Sequence, residues 1–306
     1  MRLGFVSAIL PEFSLEEVFQ TAHAIGYESV EVMCWPHGKA ERRYAGVTHL
    51  DVHDYSVSGI HALCAKYGIS ISGLGYYPNM LSADEAEARV AVEHFRAVID
   101  ASAALGVNVA NTFVGRNPRL TVEENWPRLM SIWPATVARA EAKAVRIGIE
   151  NCPMFFTADE WPGGKNLATT PKIWRKLFEA IPSDTFGLNY DPSHFVWQMM
   201  DYVKPLAEFS DRLVHLHAKD ARVNRAALED VGIMATPLEF HSPVLPGRGD
   251  IDWRRFFDAV KAAGYDGPIA VEVEDREFEG SLNDRIEALR TAYEFLAPLV
   301  AGNGEE

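Results

Sequence analysis

The residues able to do chemistry in this chain stand at the ends of four successive short apolar runs. RIGIEN carries Glu150, FGLNYDPSH carries Asp191 and His194, LVHLHAKD carries His215, His217, Lys219 and Asp220, and IAVEVED carries Glu272, Glu274 and Asp275. A buried strand that closes on a carboxylate or imidazole needs a partner for it, because an unpaired buried charge is strongly unfavourable. If the runs are neighbouring barrel strands, about 5 Å apart, one residue from each can converge near the axis. Glu150, Asp191, His217 and Glu272 then make a set of three carboxylates and one imidazole. Hard oxygen donors with one borderline nitrogen suit Mn²⁺, Co²⁺ or Mg²⁺ better than a structural thiolate Zn²⁺ site. Without a cation the carboxylates repel one another. Taken singly, each residue reads equally well as a salt-bridged strand end; its recurrence on four successive strands argues for a site. Glu272 and Glu274 share a face, as do His215 and His217, so one of each pair should lie deeper or support the other.

The elements that must position these residues follow a repeating unit of helix, glycine and short apolar strand. It appears as AHAIGYESVEV, CAKYGISISGL, AALGVNVANTF and KAAGYDGPIAVEV, with Gly26, Gly68, Gly106 and Gly264 where helices end. Glycine there suits a left-handed C-terminal cap. Capping boxes are expected from Ser14 to Glu17, Ser82 to Glu85 and Thr121 to Glu124, and Thr170-Pro171 reads as another helix start. Leu15, Val18, Phe19, Ala22 and Ile25 share one helical face. Eight strands are predicted near 3–7, 28–33, 69–74, 107–113, 146–151, 185–191, 212–218 and 268–273, rich in residues suited to burial on both faces. Alternation of strands and helices without a GxGxxG fingerprint favours an α/β fold of the (β/α)8 TIM-barrel type. Residues 1–306 read as a single barrel domain with long βα loops and a C-terminal helix. The irregular stretches 34–57, 114–121, 152–169 and 219–251 each follow a strand and belong at the C-terminal mouth. Pro134, in SIWPATVARA, predicts an interruption and kink in the fourth helix.

The composition narrows the functional classes. With 29 Lys and Arg against 43 Asp and Glu, the formal net charge is −14. That field disfavours a phosphodiester backbone, so no nucleic-acid partner is expected. Hydrophobic residues at 48% can fill a core, yet no stretch reads as a bilayer span and no membrane partner is expected. Cys34, Cys64 and Cys152 show no CxxC spacing and cannot all pair, which suits a reducing cytoplasm. A homo-oligomer is left open.

The motifs GIEN at 148–151, NYDPSH at 189–194, HLHAKD at 215–220, PGRGDIDW at 246–253 and GYDGPIAVEVED at 264–275 resemble the sugar phosphate isomerase/epimerase superfamily of xylose-isomerase-like TIM barrels, which includes ketose 3-epimerases and inosose dehydratases. The resemblance covers nearly the whole chain. It implies that Glu150, Asp191, His217 and Glu272 hold one divalent metal, usually Mn²⁺. It also implies that Glu150 and Glu272 exchange a proton with the substrate carbon from opposite faces, and that His194 contacts a substrate oxygen. The residue types agree: a cation chelated by a carbonyl and an adjacent hydroxyl stabilises an enediolate, and a carboxylate in reach takes the α-proton. The expected activity is therefore a metal-dependent isomerase or epimerase acting on a small-molecule carbohydrate. A lyase or dehydratase is the rival, since the same enediolate can expel a β-leaving group. The chain departs from the ketose 3-epimerase pattern at Phe156, where a glutamate is usual, and at Val223, where an arginine is expected. Substrate recognition must differ accordingly.

Further substrate contacts are weighed against plainer roles. Arg42 and Arg43, in CWPHGKAERRY, could bind an anionic group or merely offset nearby acids. Trp35 and Tyr76 could stack on or hydrogen-bond a sugar, or pack in the core. Asn111 could line the pocket, Lys219 lies beside the ligand set, and Arg248 in the PGRG turn could join a helix N-terminus in holding an anion. A nucleophilic Cys152 is not expected. The loops at 34–44 and 219–249 are expected to close over the substrate.

Overall fold

The repeat of helix, left-handed cap and buried strand builds the architecture. The computed structural model describes residues 1–37, 46–153 and 164–302. Its strands are β1 (Arg2–Val6), β2 (Ser29–Met33), β3 (Ser70–Gly75), β4 (Val109–Thr112), β5 (Arg146–Glu150), β6 (Phe186–Tyr190), β7 (Leu213–Ala218), β8 (Asp220–Val223), β9 (His241–Val244) and β10 (Pro268–Val271). The first helices are α1 (Leu15–Ile25), α2 (Val57–Tyr67), α3 (Glu85–Ala104), α4 (Val122–Ala142), α5 (Pro171–Ala180) and α6 (Ser193–Val196). They are followed by α7 (Lys204–Glu208), α8 (Arg225–Val231), α9 (Pro237–Phe240), α10 (Trp253–Ala262) and α11 (Leu282–Ala301).

Eight strands close a barrel in the order β1-β10-β7-β6-β5-β4-β3-β2, and β1 completes the ring by pairing in parallel with both β2 and β10. The expected (β/α)8 barrel is thus the fold, and each expected strand lies within two residues of an observed one. Helix α1 buries Leu15, Val18, Phe19 and Ala22, as its periodicity requires. Gly26 ends it at φ 112° and Gly68 ends α2 at φ 65°, backbone that any side chain would strain. The capping boxes at Ser14 and Thr121 form.

Three local expectations need correction. Helix α3 is capped by Asp84, which accepts hydrogen bonds from the Ala86 and Glu87 amides, while the Ser82 hydroxyl reaches the Glu87 side chain. A carboxylate is the stronger cap for a helix N-terminus, so the helix starts later than Ser82 implied. Pro134 does not interrupt α4. The buried stripe Leu129, Trp133, Val137 and Ala140, with the Trp133 indole donating to the Val114 carbonyl at 3.1 Å, outweighs one missing backbone bond. The stretch 219–251 is not irregular: β8 and β9 pair as an antiparallel ribbon, and α8 and α9 connect them. Pro243 is tolerated opposite Ala221 because both strands of a two-stranded ribbon are edges.

Candidate metal centre and active site

The mouth of the barrel is built by residues at strand ends. Glu150 closes β5, Asp191 follows β6, His217 lies near the end of β7 and Glu272 follows β10. One ligand atom from each of these four lies within 4.8 Å of the others. In the ring, β5 and β10 are separated by β6 and β7, so Glu150 and Glu272 reach the cluster from different sides. His217 Nδ1 lies 3.5 Å from Glu272 Oε2 and 3.9 Å from Glu150 Oε1. His217 Nδ1 and Asp191 Oδ2 are sealed from solvent without a well-formed hydrogen bond, Asp191 Oδ2 having only ion-pair contacts to Lys219 Nζ at 3.2 Å and His194 Nε2 at 3.3 Å. Buried ligand atoms with unused hydrogen-bonding capacity, gathered beside carboxylates, fit a divalent cation.

The motifs around the ligands hold them in place. Asn151 clamps the Asp191 backbone, accepting from its amide at 2.8 Å and donating to its carbonyl at 2.9 Å. Asp191 Oδ1 accepts from the Ser193 amide at 2.8 Å, which leaves Oδ2 for the site. Asn166 donates to the carbonyls of Glu150 and Cys152, both at 2.8 Å. His194, on α6, places Nε2 3.3 Å from both Glu150 Oε1 and Asp191 Oδ2. Cys152 forms a second close group with Glu150 and His194.

Lys219 is buried in the middle of these acids. Its Nζ lies 2.6 Å from Glu272 Oε2, 3.2 Å from Asp191 Oδ2 and 3.4 Å from Glu274 Oε2. Glu274 thus supports Lys219, while Glu272 belongs to the ligand cluster. Burial works against ionisation of Glu272, but Lys219 and His217 hold its carboxyl well below the usual range. Glu150 is pushed up, first by burial and then by the Glu272 charge. The two carboxyls are therefore electrostatically unequal.

Glu31 is the site residue that the sequence reading missed. It is fully buried on β2, and its Oε2 lies 2.7 Å from His217 Nε2. Tyr77 donates its hydroxyl to Glu31 Oε1 and accepts from Asn189 at 3.1 Å. His215 lies deeper, between Asn189 Oδ1 at 3.0 Å and Ser72 Oγ at 3.2 Å, and burial pushes its imidazole down to about 4. The Glu31–His217 and His215–Ser72 bonds join strands that are not neighbours in the ring, so these two cross the lumen. A signal was present: a strand buried on both faces leaves no solvent side for the glutamate in SVEVM.

The remaining candidates take varied places. Trp35 packs edge-on against Tyr76 at 4.9 Å, and Tyr76 against His94 at 4.7 Å. Asn111 is fully buried with no hydrogen bond to either amide atom, pressed against β5 where a Cβ at Gly148 would come within 2.3 Å of its Oδ1. Arg248 pairs with Asp275 at 3.0 Å and with Glu277. The PGRG turn holds an anion of the chain's own. Asp220 accepts from the Gly247 amide at 3.1 Å, the Ile251 amide at 3.2 Å and the Trp253 indole at 2.8 Å. Gly249 is obligatory there, because a Cβ would lie 2.1 Å from Asp220 Oδ1. Val223 is buried in the ribbon. Arg42, Arg43, Phe156 and most of the loop at 34–44 lie outside the described residues.

A closed parallel barrel with a carboxylate–imidazole cluster at its C-terminal mouth defines the class of this protein. A profile of the xylose isomerase-like TIM barrel family matches residues 19–299, and the chain belongs to that family. It is 31% identical over 170 residues to the uncharacterized protein YfiH of Bacillus subtilis, covering 52% of this chain and 50% of that protein. It is 32% identical over 114 residues to the inosose dehydratase of Geobacillus thermodenitrificans, covering 36% of this chain and 38% of that enzyme. The chain thus spans half or less of the length of these curated relatives. Two solved structures share the fold at 18% identity. One is L-ribulose 3-epimerase, with TM-score 0.71 over 98% of this chain and 95% of that chain; the other is the IOLI protein with a binding zinc atom, with TM-score 0.70 over the full length of both. Among the described residues, no helix is long and apolar enough to cross a membrane.

Proposed function

We propose that this protein is a divalent-cation-dependent isomerase or epimerase of a sugar, sugar phosphate or cyclitol, removing and returning a proton α to a carbonyl. The observation that carries this reading is the convergence of Glu150, Asp191, His217 and Glu272, where His217 Nδ1 and Asp191 Oδ2 are buried without a well-formed hydrogen bond. These four residues would hold the cation, for which Mn²⁺ is the best match to the donor set, with Co²⁺ and Mg²⁺ as alternatives. When bound, the cation supplies neutralisation of the negative charge that develops on the substrate oxygens.

The chain's own groups then divide the work. Glu272, held ionised by Lys219, is the carboxylate suited to accept the carbon-bound proton. Glu150, pushed up by burial, is suited to return one from another side. His194 and Lys219 orient substrate oxygens, and Trp35, Tyr76 and Asn111 are proposed to line the pocket. Arg42 and Arg43 remain candidates for an anionic substituent. Arg248 is a weaker one, since two carboxylates already engage it.

A dehydratase is the second reading, favoured by the inosose dehydratases among the sequence relatives. Incubating ketoses and inososes in D₂O with Mn²⁺ separates the two. Deuterium entering the recovered sugar without loss of water supports the isomerase, whereas an unsaturated product supports the dehydratase. No exchange and no product across the panel would sink the proposal.

A further inference from the structure

We propose that Glu31 is a positioning residue for the metal centre, holding His217 in the tautomer and orientation that present Nδ1 to a cation. The inference rests on the metal-dependent reading above and extends it to a residue outside the ligand set. Glu31 and His217 are 186 residues apart and lie on β2 and β7, which β1 and β10 separate in the ring. Their contact therefore crosses the lumen, and neither residue is exposed.

With Glu31 ionised, the hydrogen bonds around it favour one proton arrangement over its rival, in which Asn189 Nδ2, 3.0 Å from His217 Nε2, would donate to that nitrogen. The Tyr77 hydroxyl donates its proton to Glu31 Oε1, so the Tyr77 oxygen accepts from Asn189 Nδ2. Asn189 is thereby oriented with Oδ1 toward His215 Nδ1, which must donate, leaving His215 Nε2 to accept from Ser72. His215 is neutral in this chain of bonds. The remaining carboxylate oxygen, Oε2, can only accept, and its neighbour at 2.7 Å is His217 Nε2. That nitrogen carries the proton, and the lone pair of a neutral His217 lies on Nδ1, among Glu150, Asp191 and Glu272. With both oxygens committed, Glu31 has no freedom to turn away. A carboxylate behind a ligating imidazole fixes the ring and raises its basicity, and removing such a partner weakens metal binding about 10–100-fold.

The test measures binding apart from turnover. Free Mn²⁺ is followed by electron paramagnetic resonance during titration of the wild type, Glu31→Gln and Tyr77→Phe. Glu31→Gln should weaken Mn²⁺ binding by about 10–100-fold while circular dichroism shows a folded chain. Tyr77→Phe, which leaves the carboxylate beside His217, should weaken it less. A purely structural role would instead lower thermal stability and leave Mn²⁺ affinity intact, and that outcome overturns the proposal. Should Glu31→Gln not fold, ¹⁵N-histidine spectra of the Zn²⁺-loaded wild type decide. A proton on His217 Nε2 supports the assignment, and one on Nδ1 overturns it. Failure of the wild type to bind any divalent cation would overturn the metal-dependent reading and this inference with it; wild-type binding unchanged in Glu31→Gln overturns this inference alone.

Discussion

Lys219 Nζ and Glu272 Oε2 stand 2.6 Å apart at a point where three carboxylates converge, and the lysine side chain is only 3% exposed. An ammonium inside the ligand cluster tempers the repulsion that the acids would otherwise suffer without a cation. Breaking a buried pair by removing one partner is destabilising by about 3–5 kcal/mol. Lys219→Met should therefore lower the thermal midpoint of the cation-free protein, and saturating Mn²⁺ should recover part of the loss. Calorimetry with and without Mn²⁺ checks this, and an unchanged midpoint in the cation-free variant would contradict it.

Glu150→Gln and Glu272→Gln should each reduce turnover by at least about 10²-fold beyond any loss of metal, because general-base catalysis contributes on that scale. Steady-state rates must be compared at measured metal occupancy. Near-normal turnover in either variant would remove that carboxylate from proton transfer.

Exhaustive chelation should abolish activity, with Mn²⁺ or Co²⁺ restoring it. The same cations should raise the unfolding midpoint, since a ligand at 100 times its Kd stabilises the folded chain by about 2.7 kcal/mol. Full activity in a preparation shown to be metal-free by elemental analysis would refute the assignment.

Acid sensitivity should trace in part to His241, which stacks on Trp197 at 5.1 Å. Burial pushes its imidazole from 6.5 down to about 4, against the pull of the Pro237 carbonyl. Between those values the unfolded chain binds more protons than the folded one. This contribution to stability is complete above pH 6.5 and is lost as pH falls toward 4. His241→Phe keeps an aromatic ring on Trp197 and should flatten that part of the profile. Urea midpoints across the acid range measure it, and parallel curves for the two proteins would exclude His241.

The barrel was legible because strands buried on both faces and helix caps punctuate this chain regularly. The convergence of Glu150, Asp191, His217 and Glu272 was legible for a related reason, as polar groups closing apolar runs. Glu31 was hidden by its neighbours. In SVEVM it passes for the polar member of an alternating strand unless the strand is read as buried on both faces, and even then only the far side of a closed lumen supplies its partner, His217. Asp220 misled in the opposite sense. The PGRG turn looks open to an outside anion, yet a carboxylate preceding it by 26 residues or more fills it. Such pairings depend on which elements meet after folding, and local pattern carries no record of them.

The seam at β1 has a kinetic consequence. That strand joins β2, near the start of the chain, to β10, near its end. All four proposed ligands lie between Glu150 and Glu272, but Glu31 arrives opposite His217 only when the two edges meet. Contacts of such long sequence separation form late, because loop-closure entropy must be overcome first. During refolding, weak capture of Mn²⁺ by the later strands should precede tight capture, and the interval between them would time the joining of the ring.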